Sequence, residues 1–392
     1  MTGVLVFLRR FNWTLFVSML VLVAIGTVAV WSAGNARTAV VFHGMWKAHL
    51  ATAVVGLVAY FGLAATDYRR LLAFGAIPAY VIALVLLAAV LVVGTEQLGG
   101  RRWLWFFQPS EVAKVAVIAL LAFVFGNVEG DGAPRLLSGF RGLLLAGALV
   151  GVPSALILRE PDLGTTLVLV PAAVVMLLAA GVWRKGLLVL LAAGLTATLL
   201  LLWAVGEAER PGADPERRAR ILRYVPLRDH QLRRVRVFLY PEEDLTGDGY
   251  NYRQAMISIG SGGFSGKGIG KGESNHLKYL PPSISMNDFI FCVWAEETGF
   301  VGSLSLLGLF GMLVFSGAWV AFRSLDGSGR LLALGVSTLV FAHVFVNIAM
   351  SIGLVPITGL PLPFISAGRT FLLTIMVALG LVQSVSIYGR NT

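Results

Sequence analysis

The sequence predicts an all-α polytopic membrane protein, with about ten transmembrane helices and a large extracytoplasmic loop between the seventh and eighth. Three observations carry this. Of 392 residues, 57% are hydrophobic and only 13% charged, and the mean hydropathy is +0.81; soluble domains carry about a quarter charged residues. The apolar runs are long and continuous, on the order of the ~20 residues a helix needs to cross the hydrocarbon. Only helices and closed barrels satisfy the backbone in lipid, and unbroken apolar runs of this length select helices.

Taken in order, the expected spans are 12–31, 46–65, 72–94, 109–126, 141–158, 165–181, 186–205, 289–322, 331–353 and 369–388. The fourth and sixth are short. The eighth is long enough to tilt or to extend beyond the bilayer. An even number places both termini on one side. With that side cytoplasmic, the inner segments hold Arg9, Arg10, Arg69, Arg70, Arg135, Arg141, Arg184, Lys185, Arg323, Arg330 and Arg390. The opposite short loops hold Arg37, Lys47, Arg101, Arg102, Arg159 and Arg369. The excess of basic residues favours termini inside, because short loops obey the positive-inside bias. The long 206–288 loop then lies outside. No solenoid-type repeat is evident, so residues 1–392 read as one membrane domain.

The remaining composition narrows the chemistry. Arg9 and Arg10 precede a span of about 20 residues, too long for the apolar core of a cleavable signal peptide. The single cysteine, Cys292, falls in an expected helix and allows neither an internal disulfide nor a cysteine metal cluster. A net charge of +10 would suggest nucleic acid in a soluble protein. Here inner-side basic residues and one basic loop account for it. The five histidines are scattered without metal-ligand spacing. GKGIGKGES lacks the Lys-Ser/Thr ending of a phosphate-binding P-loop. No Gly-x-Ser-x-Gly elbow sits in a strand–turn–helix setting.

The outer loop has two halves. In the half spanning 207–236, eight arginines crowd between Arg217 and Arg236. This density suits an amphipathic helix on an anionic membrane surface or, equally, a solvated helix or linker. Residues 260–272 carry seven glycines, which permit positive φ and close backbone approach.

Polar groups inside spans are costly, so each is a functional candidate. Asp288 ends the polar loop where the eighth span begins. It reads as the reactive acid or as a helix N-cap. Glu296 lies roughly 12 Å further along the helix, too far for a nucleophile–acid pair. With Glu297 it reads as a partner-binding group inside the bundle. Glu111 and Lys114, three residues apart in QPSEVAK, share a helix face and can pair. Arg101 and Arg102, in GGRRWLWFF, offer forks that fit phosphate bidentately; the rival reading is an interfacial belt meeting lipid headgroups. Asp162, in REPDLGTT, reads first as an N-cap. In 347–371, Pro356, Pro361, Pro363 and Gly359 break the helix, which points to a re-entrant or cavity-lining turn.

At these residues the chain resembles the shape, elongation, division and sporulation (SEDS) family, the RodA and FtsW proteins. The segments that carry the likeness are GGRRW with QPSEVAK; EPDLGTTL; VFLYPEED with GDGYN; AMISIGSGGFSGKGIGKG; NDFIF with AEETGFVG; and NIAMSIGLVPITGLPLPFIS. They cover nearly the whole chain in the right order, and the GYN and EPDLGTT forms look more like RodA than FtsW. The resemblance implies a ten-span peptidoglycan glycosyltransferase of the bacterial cytoplasmic membrane. Such a protein polymerises lipid II, works with a transpeptidase of the class B penicillin-binding type, and serves elongation or division. It gives Asp288 the role of essential acid and makes Glu111 and Lys114 the acid and lysine of the family's helix motif. Arg101, Arg102, Glu111, Lys114, Asp162, Lys267 and Ser366 are then the expected substrate-binding residues. A divalent cation, Mg²⁺ or Mn²⁺, is the one cofactor admitted, with no dedicated cage. A lipid II flippase and a non-catalytic scaffold that activates the transpeptidase are the alternatives. The chain departs from the family pattern at Pro282, where Glu is expected, and at Asn287, where Thr is usual. Ala367 and Arg369 replace Tyr and Gly.

Overall fold

The computed structural model describes residues 3–35, 40–97, 100–105, 107–126, 137, 139–160, 162–210, 212, 214–225, 227, 229–242, 244, 247–273 and 281–389. Among them, helices occupy every expected span. In chain order the elements are α1 (Gly3–Arg10), α2 (Trp13–Asn35), α3 (Val40–His43), α4 (Met45–Ala64), α5 (Tyr68–Val93), β1 (Thr95–Gln97), β2 (Gly100–Trp103), α6 (Pro109–Phe125), α7 (Phe140–Arg159), α8 (Leu163–Ala179) and α9 (Arg184–Ala208). The outer loop contributes α10 (Pro215–Leu222), α11 (Asp229–Leu239), α12 (Asp248–Ser261) and α13 (Pro282–Ser285). The chain closes with α14 (Ile290–Arg323), α15 (Gly327–Ser351) and α16 (Arg369–Tyr388).

Eight of these helices are long and apolar enough to cross a membrane, while α6 and α8 have 17 residues each. That length is the low end of a span. The expectation of helices alone misses the antiparallel β1–β2 hairpin. Its polar residues follow Gly94, which ends α5 in an extended conformation, so the chain turns back before α6.

The buried centre is α15, which packs against α14, α8, α6 and α16. Glycine lets the helices close up. On α4, a side chain at Gly56 would collide with Met376 of α16, and on α16 one at Gly380 would lie 2.9 Å from the Tyr60 carbonyl of α4. Small residues drive helix contact in lipid because apolar side chains gain nothing there by leaving the solvent. By contrast α9 keeps almost its whole apolar surface exposed, as suits a peripheral helix facing acyl chains.

The long eighth span is not one continuous helix. Gly299 (φ 66°, ψ −161°) breaks α14 into two segments. The break frees carbonyls and amides of the helix ladder, and the Gly-rich loop satisfies them. Lys267 N donates to Glu296 O (3.1 Å) and Gly268 N to Glu297 O (2.9 Å). In return, Phe300 N donates to Gly263 O (2.9 Å) and Val301 N to Phe264 O (3.1 Å). This backbone pairing ties the Gly-rich loop to the broken span.

The arginine-rich half of the loop forms α10 and α11 rather than one amphipathic helix. Arg217 pairs with Glu207 (2.9 Å), Arg218 and Arg236 with Glu209 (2.9 and 3.4 Å), and Arg233 with Asp244 (3.2 Å). Four of these arginines are thus turned onto acids at the end of α9 and in the loop itself.

Candidate active site

Asp288 stands in the turn between α13 and α14. That turn is held by its carbonyls. Ala367 N donates to Met286 O (3.0 Å), Ser366 Oγ to Asn287 O (2.7 Å) and Asn347 Nδ2 to Asp288 O (2.9 Å). The same Asn347 amide reaches Leu360 O (2.7 Å), and Ser366 Oγ accepts from Leu362 N (2.8 Å). The irregular segment between α15 and α16 is therefore stitched directly to the Asp288 turn.

The α14 start takes no side-chain cap, so Asp288 is not engaged as an N-cap. Its carboxylate makes no hydrogen bond among the described residues. Gly359, at φ 74°, brings the backbone past it: a Cβ there would sit 3.5 Å from Asp288 Oδ2 and 4.0 Å from Arg234 Nη2. Arg234 is oriented by its Nη1, which donates to Thr358 O (3.1 Å). Arg102, from β2, is oriented by its Nε, which donates to Glu160 O (3.2 Å). Burial pushes the Asp288 carboxyl up to about 6, against the pull of the Arg234 and Arg102 guanidiniums; Asp248, at the start of α12, adds to the rise. The result is a carboxyl that is ionised near neutral pH but still basic, with Arg234 close by and the charge of Arg102 acting on it. A carboxyl in this state has the chemistry of a general base, and guanidinium forks can receive an anion.

The other expected residues divide. Arg102 belongs to this site. Arg101 lies outside the residues whose side chains are described. Glu111 and Lys114 form a buried pair on α6, with Lys114 Nζ 2.9 Å from Glu111 Oε2. Lys114 also meets His343 Nε2 of α15 at 2.9 Å and lies 5.0 Å over the Phe371 ring. Lys114 is fully buried, and its ammonium is turned onto Glu111 and His343. Asp162 caps α8: it accepts from Thr165 N (3.1 Å), Thr165 Oγ1 (2.8 Å) and Gln108 Nε2 (3.1 Å). Lys267 pairs with Glu296 (2.9 Å) and Glu273 (3.3 Å). Glu296 also accepts from Ser258 Oγ (2.9 Å), and Glu297 accepts from Ser32. Ser366 is buried in the carbonyl stitch just described.

Two contributors escaped the sequence reading. Arg234 was hidden in a run of arginines whose other members mostly find acids. Asn347 did carry a signal, being an amide within an apolar helix, where such a group is costly unless it is used.

A family model described as "Cell cycle protein" (FtsW, RodA, SpoVE) matches residues 12–391. The chain belongs to this family. It is 34% identical to the Escherichia coli K12 peptidoglycan glycosyltransferase MrdB over 383 residues, 96% of this chain and 94% of that one. It is 30% identical to stage V sporulation protein E of Bacillus subtilis over 385 residues, 96% of this chain and 97% of that one. Among solved structures, a chain from "Structural coordination of polymerization and crosslinking by a peptidoglycan synthase complex" superposes with TM-score 0.73 at 30% identity, covering 97% of this chain and 99% of that one. The Thermus thermophilus rod shape determining protein RodA gives TM-score 0.67 at 27% identity, covering 97% and 98%. Like them, this FtsW/RodA/SpoVE-family chain is a multi-pass membrane protein.

The donor set does not fit a resident metal. The described residues hold no cluster of three or more His, Cys, Asp or Glu side chains placed for a metal. At the site the Asp288 carboxylate is offset by the charges of Arg234 and Arg102, which weakens its hold on a cation.

Proposed function

We propose that this SEDS-family peptidoglycan glycosyltransferase uses Asp288 as the general base that joins one lipid II disaccharide to the next. The carboxylate takes the proton from the attacking sugar hydroxyl. That oxygen forms the new glycosidic bond to the anomeric carbon as the bond to the undecaprenyl pyrophosphate breaks. The electron pair leaves on the pyrophosphate, facing Arg102 and Arg234. A single displacement inverts the anomeric centre and needs only one carboxylate. Preorganised cations aimed at the developing charge supply the larger share of such a barrier reduction. The observation that carries this is the unengaged Asp288 carboxylate beside two oriented guanidiniums.

Glu111, Lys114, Asp162, Lys267 and Ser366 then act by holding helices, loop and turn around the substrate. A divalent cation, where it contributes, arrives with the pyrophosphate. The site faces the outside, with both termini cytoplasmic. Ser386 Oγ donates to Arg10 O (3.0 Å), so both chain ends meet at one end of the bundle. The partner is a class B penicillin-binding transpeptidase, in line with the synthase complex that this chain resembles.

The test is a gel of glycan strands made from lipid II by the purified complex. Wild type should give a ladder, and Asp288→Asn should give none while keeping its fold and its partner. An Asn variant that polymerises at the wild-type rate would refute the assignment.

A further inference from the structure

Glu160 follows the last residue of α7 and is fully buried, and neither carboxyl oxygen has a partner among the described residues. An ionised carboxylate in that setting loses its hydration without compensation. Yet a forked cation lies beside it: Arg102 already bonds the Glu160 main-chain carbonyl at 3.2 Å. The same guanidinium acts on Asp288. We infer that Glu160 is a positioning residue for the glycosyl transfer, a buried acid whose neutral form leaves Arg102 to Asp288 and the pyrophosphate and whose ionised form draws Arg102 away.

This inference rests on the glycosyl transfer proposed above. The neighbours leave Arg102 as the group that responds. On α7 itself, Arg159 is exposed. From α8, Asp162 repels a charge on Glu160, and its own oxygens are engaged by Thr165 and Gln108. From α6, Lys114 is turned onto Glu111 and His343. From β2 comes Arg102, and beyond it Asp288. Burial first, and Asp162 second, push the Glu160 carboxyl up to about 8, with Arg102 opposing. The acid is therefore neutral at pH 7 and ionises within the working range of an extracytoplasmic enzyme. Once ionised, its two oxygens can take the guanidinium fork in two parallel bonds, the strongest pairing open to either group. The site then loses one of its two cations.

The experiment is the rate of glycan polymerisation from lipid II between pH 6 and pH 10, for wild type and Glu160→Gln. The amide keeps the shape of the neutral acid and cannot ionise. Wild type should lose activity above a midpoint near 8, whereas Glu160→Gln should match it at pH 7 within about twofold and stay level above the midpoint. A Gln variant that keeps the alkaline fall overturns the inference, and so does a folded Gln variant that is inactive at pH 7. Arg102→Gln supplies the second arm: its low residual rate should show no fall near pH 8, and a retained fall would equally refute the inference. Wild type without any polymer would instead remove the proposed function. The thermal midpoint would then read the Glu160 proton separately. The folded state holds that proton to higher pH than the unfolded chain, so stability should fall as pH rises toward 8 in wild type and not in Glu160→Gln.

Discussion

Removing the Arg234 guanidinium tests the electrostatics of the site most directly. Burial raises the Asp288 carboxyl to about 6 even with Arg234 pulling it down. Arg234→Ala removes that pull, so the carboxyl must rise further. An opposite charge at close range is worth about 1–3 pKa units, and the low end applies to a partly exposed guanidinium. Taking about one unit, the ionised fraction at pH 6.5 falls from roughly 0.76 to roughly 0.24, about threefold, and at pH 8.5 it barely changes. The sign follows from the chemistry: the base works when ionised, above its pKa, and activity is lost as pH falls through it. The same substitution also weakens pyrophosphate binding, a loss that is equal at every pH. The assay is kcat/KM for lipid II polymerisation against pH in wild type, Arg234→Ala and Arg234→Lys. The alanine variant should show a lower plateau and an acid limb shifted alkaline by about one unit, and lysine should restore most of the shift. A lower plateau with an unmoved acid limb would refute the reasoning and leave Arg234 as a substrate contact alone.

Three further outcomes are expected. Glu111→Ala strands the buried Lys114 charge and should cost about 3–5 kcal/mol in thermal unfolding, while Glu111→Leu with Lys114→Met should recover most of it. Gly266→Ala puts a Cβ against the Glu297 carbonyl at φ 79°. The backbone strain alone is worth about 1–3 kcal/mol, whereas Gly260→Ala, in open space on α12, should be neutral or stabilising by denaturation. Asn347→Leu leaves two carbonyls without their donor and should lower kcat on the order of tenfold with little change in KM, since about 1.4 kcal/mol of lost positioning is a factor of ten. A KM effect alone would place Asn347 on the substrate instead.

The spans were legible because lipid imposes one rule on every helix, and a run of apolar residues reports it directly. Asp288 was legible for the opposite reason, as a charge at the end of such a run. What the sequence could not show was the choice between cap and free acid. Asp162 and Asp288 look alike in one dimension, each preceding a helix, and only the structure shows Thr165 and Gln108 bonded to the first and no such donor at the second. Arg234 was illegible because its function depends on a backbone 125 residues away in sequence, at Gly359. The break at Gly299 read as extra length, since a glycine inside an apolar run gives no sign of its φ. Its partner loop was readable only as permissive, not as paired.

The three consecutive carbonyls that hold the Asp288 turn bear on how this chain tolerates its unusual sequence there. Each of Met286, Asn287 and Asp288 is gripped through main-chain oxygen, an atom every residue possesses. Replacing the usual Thr by Asn287 therefore removes none of the three bonds. Ala367 takes part through its own amide, so losing the usual Tyr side chain leaves that bond in place as well. Divergence in this loop is thus channelled toward the side chains that meet substrate or partner. The turn is positioned through Asn347, Ser366 and the Ala367 amide, so a homologue could change the side chains around it without moving the proposed base.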